Sequence, residues 1–154
     1  CWWRIFHTYS EILSLSNTVH NMPAHLQAVS NTPVIASHTT LHTSTGQWIK
    51  SVQFDITPKM STYLVALVIG QFDQISMTSK TTHIQTTIYT VPGKAHKGQF
   101  CLKTAADCLD YLQDIYGVSY PLRKSDLLAI PDFAAGAMEN WGCVTYREAK
   151  VCNG

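Results

Sequence analysis

Glu139 stands in the run Ala134-Ala135-Gly136-Ala137-Met138-Glu139-Asn140-Trp141-Gly142, among small and apolar residues. A carboxylate withdrawn from water in such surroundings is costly unless a partner neutralises it. A bound cation is one such partner; a solvated Glu on a surface turn is the plain alternative. Gly136 and Gly142 free the backbone to turn tightly or to approach a ligand closely. Metal chemistry has little footing elsewhere. Of seven histidines, only His38 and His42 are spaced four apart. Their segment, Ser37-His38-Thr39-Thr40-Leu41-His42-Thr43-Ser44-Thr45-Gly46, is rich in Thr and ends in Gly, which disfavours a helix. In an extended strand the two rings stand about 13 Å apart, too far to share an ion. By spacing, the histidines therefore offer no metal site.

The elements that must position Glu139 follow from periodicity. Residues 27–91 read as all-β. Gln47–Ile56 alternates and ends at Thr57-Pro58. Tyr63–Ile69 is apolar on both faces and closes at Gly70, which predicts a central strand. His83–Tyr89 is rich in β-formers and ends at Val91-Pro92-Gly93, the expected domain boundary. Beyond it the period becomes helical. Cys101, Ala105, Cys108, Leu112 and Ile115 recur at spacings of four and three, predicting one buried stripe. Gly117 is placed to cap that helix, with Pro121 soon after. Leu127–Ile130 reads as a short buried strand ending at Pro131, and Trp141–Tyr146 as another. Glu139 then lies between strands at a sheet edge, where an extended peptide could add by backbone hydrogen bonds.

The 154-residue chain is 45% hydrophobic and only 14% charged, against a typical quarter. That suits a globular piece whose surfaces meet further protein. A net charge of +1 with dispersed Lys and Arg excludes a nucleic-acid or acidic-lipid field. Five cysteines are an odd number and make no disulfide framework. Cys101 and Cys108 on one helix lie about 10 Å apart, beyond the roughly 7 Å that a disulfide spans, and read as core residues. No apolar run approaches the length of a membrane span, and Cys1-Trp2-Trp3-Arg4 does not open a signal peptide.

The run Gly136-Ala137-Met138-Glu139-Asn140 resembles the exopeptidase signature of the M1 family of zinc aminopeptidases. The similarity extends in order through Thr57–Ala66, Val91-Pro92-Gly93-Lys94-Ala95, Tyr120-Pro121-Leu122-Arg123-Lys124 and Trp141–Glu148. It covers roughly residues 27–148, and the Val-Pro-Gly-Lys wording is nearest the puromycin-sensitive branch. The resemblance implies an α+β chain. A partial antiparallel β-sandwich or saddle (23–91, the end of an N-terminal β domain) precedes the opening helix and strands of a thermolysin-like catalytic domain (92–154). Residues 1–22 form a tail unlike the family, and Ala149–Gly154 also departs from it.

By the same resemblance Glu139 binds the free α-amino group of a peptide substrate. Gly136 and Ala137 offer backbone groups, Met138 lines the first side-chain pocket, and Asn140 completes the motif. A carboxylate facing an ammonium away from water makes a strong charge-assisted hydrogen bond. It also selects for free N-termini, because a blocked peptide leaves it unpaired. The family hydrolyses peptides with a zinc-bound water held by a helical His-Glu-x-x-His and a later Glu. No His-Glu-x-x-His occurs here.

The expectation is thus a fragment of a Zn(II) aminopeptidase, inactive alone, whose metal ligands lie outside the chain. Its partners would be free-amine peptides and the rest of its own catalytic domain. Its location would be cytoplasmic, with membrane anchoring or secretion through a missing N-terminal segment as the alternative. A relative that opens a lipid epoxide is disfavoured by Gly136-Ala137. A non-catalytic scaffold of the same fold is the alternative from another class.

Overall fold

The computed structural model describes residues 12–152, and side chains from 14 onward. The tail expected over Cys1–Met22 therefore lies partly outside the described residues, as do Asn153 and Gly154. By contacts the chain divides into two compact units, one reaching Gln71 and one starting at Phe72.

The first unit is all-β and all-antiparallel. Its strands are β1 (Ile12–Leu13), β2 (Ser16–Pro23), β3 (Gln27–Ser30), β4 (Val34–His42), β5 (Gln47–Ile56), β6 (Met60–Ser61) and β7 (Leu67–Gly70). They form a three-stranded sheet in the order β2-β5-β4 and two ribbons, β3-β7 and β1-β6. Val19 and Met22 of β2 and Val52 and Phe54 of β5 pack against Ala28 of β3 and Leu67 and Ile69 of β7. The two layers meet as a small sandwich, with Phe54 almost fully buried. Residues 16–22, expected to belong to a foreign tail, supply part of this core.

The strand expected over Tyr63–Ile69 is only half realised. Thr62–Leu64 is a turn of 3-10 helix, and β7 begins at Leu67. The cause is a pair of buried polar side chains. Asn31 donates through Nδ2 to the Leu64 carbonyl and accepts from the Ala66 N–H (both 2.9 Å), and Ser30 Oγ donates to the Ala66 carbonyl (2.8 Å). These bonds satisfy the backbone that a longer ladder would have used. Nor is β7 central: among the described residues it pairs only with β3.

The second unit is one mixed five-stranded sheet with helices on one face. It contains β8 (Asp73–Thr78), β9 (Gln85–Thr90), helix α1 (Gln99–Tyr116), β10 (Lys124–Ile130), β11 (Ala137–Met138), β12 (Cys143–Arg147) and helix α2 (Glu148–Cys152). The order is β11-β12-β10-β9-β8. β10 runs parallel to both β9 and β12, while the outer pairs β8-β9 and β11-β12 are antiparallel. A sandwich followed by a helix-backed mixed sheet is an α+β chain, as expected. The turn at Val91-Pro92-Gly93 lies inside this second unit.

Its core joins Ile88, Leu127 and Ala129 to Leu102 of α1 and Val151 and Cys152 of α2. Ile88 is wholly buried, and burial of a side chain that size contributes about 1.5–3 kcal/mol. Gly117 caps α1 as expected. Its φ of +63° is the left-handed value that favours glycine, and its N–H donates to the Gln113 carbonyl at 2.9 Å.

The buried stripe of α1 needs correction. Leu102 and Ala106 are the buried positions, Cys101 and Ala105 are half-buried, and Cys108, Leu112 and Ile115 are exposed. The apolar surface of α1 is wider than the face it presents to the sheet. Among the described residues nothing covers the second half, so Cys108 is not a core residue.

Candidate functional site: a clamped edge strand

The segment singled out by sequence builds the edge of the second unit's sheet. Ala137 and Met138 form β11, paired antiparallel with Tyr146 and Thr145. Among the described residues its other side carries no strand. Sequence reading placed Glu139 at a sheet edge but took 131–140 for a loop; a two-residue strand is below what periodicity can detect.

The hydrogen-bond alternation of β11 decides which backbone groups are offered. The Arg147 N–H donates to the Gly136 carbonyl at 3.1 Å. In an antiparallel ladder the next residue's N–H and carbonyl then point the other way. Ala137, rather than Gly136, therefore presents its backbone to the open edge.

The five motif residues divide by exposure. Gly136, Ala137 and Glu139 are exposed, Met138 is half-buried and Asn140 is buried. Glu139 is thus not withdrawn from solvent, and the burial argument for a neutralising partner does not apply in this structure. Asn140 turns inward: its Oδ1 accepts from Thr145 Oγ1 at 3.1 Å, and its carbonyl accepts from the Cys143 N–H at 3.0 Å. That last bond closes a turn whose third residue, Gly142, has a φ of +69°. A side chain there would be strained. Glu139 consequently leads into a turn fixed from within.

Two cations secure the ends of the motif. On the far side of the turn, the ammonium of Lys124 pairs with Asp126 and donates to the Gly142 carbonyl at 2.8 Å. The Asp126 N–H donates to the same carbonyl at 3.1 Å. Burial pushes the Asp126 carboxyl up, and the Lys124 charge opposes the rise. Beside it, burial pushes the Cys143 thiol up to about 12, so it stays protonated and inert. On the near side, Arg147 donates from Nε to the Phe133 carbonyl (2.9 Å) and from Nη2 to the Ala134 carbonyl (2.6 Å).

Two further ion-paired residues, Lys94 and Glu148, had no role in the sequence reading. Glu148 receives both of its 2.9 Å bonds from the Lys94 ammonium, joining the turn after β9 to the start of α2. No sequence signal links residues 54 apart. Lys124 and Asp126, two apart and so on one face, become a pair only because β10 starts at Lys124, three residues before the strand expected at Leu127.

Behind β11 a groove of about 520 Å³ is lined by Phe100, Cys101, Cys108, Ala137, Tyr146 and Val151, among others. His38 and His42 both lie on β4, so the extended reading of that segment holds. His42 Nδ1 shares hydrogen bonds with the Ser44 and Thr45 hydroxyls of the adjoining hairpin. Among the described residues no three His, Cys, Asp or Glu side chains are grouped to hold a metal ion. These residues do not fit a zinc site, and no chemical step here runs through one.

Comparison with known proteins agrees with the family resemblance. Residues 100–153 match the model of the peptidase family M1 domain. The puromycin-sensitive aminopeptidase of Caenorhabditis elegans is 47% identical over 124 residues, covering 80% of this chain and 13% of that protein. Aminopeptidase M1-B of Oryza sativa subsp. japonica is 48% identical over 131 residues, 84% of this chain and 14% of its own. Endoplasmic reticulum aminopeptidase 1 of Homo sapiens is 41% identical over 138 residues, 90% of this chain and 14% of its own. The chain thus spans 13–14% of the length of these curated relatives. By domain match and by relatives alike, the chain belongs to peptidase family M1.

Proposed function

We propose that this chain supplies the N-terminus-binding edge of an aminopeptidase that removes single residues from peptides. The observation that carries the reading is β11 itself: a sheet edge left open among the described residues, with Ala137 facing outward and the Glu139 carboxylate exposed at its end. An extended peptide adding to that edge would hydrogen-bond Ala137 and bring its α-ammonium to Glu139. Met138 would border the first side chain, with Gly136 and Asn140 holding the strand and turn in place. Zinc, with ligands outside this sequence, is part of this reading through the family resemblance alone. On that basis the chain by itself binds peptides without hydrolysing them. A cytoplasmic location rests on the same resemblance. Among the described residues no helix is long and apolar enough to cross a membrane.

The test is a titration of the chain with a free-amine tripeptide and its N-acetylated twin, followed by NMR at the amides of 137–139. The free-amine peptide should bind and the acetylated one should not. Glu139→Gln should weaken binding about tenfold or more, the loss of one charge-assisted hydrogen bond. Equal response to both peptides sinks the reading and favours the scaffold alternative.

A further inference from the structure

The chain leaves β10 at Ile130, crosses over the end of β12 and returns antiparallel on its far side as β11. Arg147 is the last residue of β12 and sits under that crossing. Its backbone is in register with Ile130 on one side, and its N–H holds the Gly136 carbonyl on the other. Its guanidinium then reaches up to the carbonyls of Phe133 and Ala134, in the middle of the crossing. One residue thereby grips the loop at its departure, its crest and its return.

The crossing needs such a grip. Asp132 has a φ of +52°, a left-handed value uncommon outside glycine, and most of 131–137 is exposed. No described β-ladder supports residues 131–136. β11 contributes only two residues of pairing, too few to fix its own register.

We propose that Arg147 is a positioning residue for the edge strand. By tying down the crossing loop it sets where Ala137 and Glu139 stand, without touching a ligand. The inference rests on the proposed peptide-binding role for the meaning of that position. The guanidinium suits the task because its planar fork presents fixed, permanently charged donors to two successive carbonyls. A lysine ammonium has three donors but sits on a flexible stem without the planar fork, so it holds two successive carbonyls less rigidly.

The experiment uses the whole chain as wild type, Arg147→Ala and Arg147→Lys, with two readouts. Arg147 is exposed, so the variants should fold and melt close to wild type. Hydrogen exchange should accelerate about tenfold or more at the two amides that close the β11-β12 ladder, those of Met138 and residue 147, in Arg147→Ala, with Arg147→Lys intermediate and the rest of the sheet unchanged. In the same peptide titration, Arg147→Ala should lower the preference for free amine over acetylated peptide about tenfold. A purely structural role would accelerate exchange across the whole unit and leave that preference intact, which would overturn the proposal. Unchanged exchange at Met138 and residue 147 would also overturn it. If wild type prefers neither peptide, the peptide-binding role fails on its own. The exchange result then still decides whether Arg147 holds the strand.

Discussion

The Lys124–Asp126 pair shows how a single side chain governs the turn that carries Glu139. Both partners are withdrawn from solvent, Asp126 almost completely. Such a pair contributes little net stability over an apolar substitute, yet breaking it strands a buried charge. Lys124→Met should therefore cost about 3–5 kcal/mol in urea unfolding. Adding Asp126→Leu should recover most of the loss, because it removes the stranded carboxylate. A double variant as unstable as the single one would show that packing, and not the unpaired charge, is what Lys124 supplies. The pair depends on β10 starting at Lys124, earlier than the strand expected from sequence at Leu127. Its third contact, to the Gly142 carbonyl, depends on how β12 lies beside β10.

At the scale of elements, the β8-β9 turn is fastened to α1 by one carboxylate. Asp110 accepts from the backbone N–H groups of Lys80, Thr81 and Thr82 and from the Thr82 hydroxyl. Those bonds, the Thr82 N–H foremost, hold its carboxyl below the usual range. The sign follows directly. A folded-state value below the unfolded one, about 3.9, gives stability that is present above that pH and lost as pH falls through the lower folded value. Asp110→Asn should therefore flatten the acid limb of the stability–pH curve below about pH 4. An unchanged limb would mean the turn does not depend on the charge. In sequence Asp110 reads only as a polar residue off the apolar stripe. Its real partner is a turn 28–30 residues earlier.

For the whole molecule the decisive feature is apolar surface left open in both units. In the first, β4 is an edge strand without a charged residue; Ile35 at its start is 54% exposed, and Trp48 of β5, opposite Leu41 near its end, is 61% exposed. In the second, Phe100, Ile115 and Tyr116 of α1 are each more than half exposed. Uncharged edges and contiguous apolar patches invite association. The isolated chain should scatter light increasingly with concentration, and Ile35→Lys with Ile115→Lys should suppress it without lowering the melting temperature. Monodisperse behaviour of the wild-type chain at high concentration would count against this.

Sequence alone determined the class of most elements, the glycine cap of α1, the extended course of the His38–His42 segment and the family. Each is a local matter of period, punctuation or an ordered series of short motifs. Tertiary structure decided the rest. Asn31 and Ser30, distant in sequence, cut short the strand expected at Tyr63. The sheet chose Leu102 and Ala106 from an α1 surface apolar on two sides. The crossing over β12 turned a loop into edge strand β11 and gave Arg147 its position. In each case the outcome hangs on hydrogen bonds or packing between residues far apart in the chain. Local composition carries no record of those partners, because they meet only once the sheets have formed.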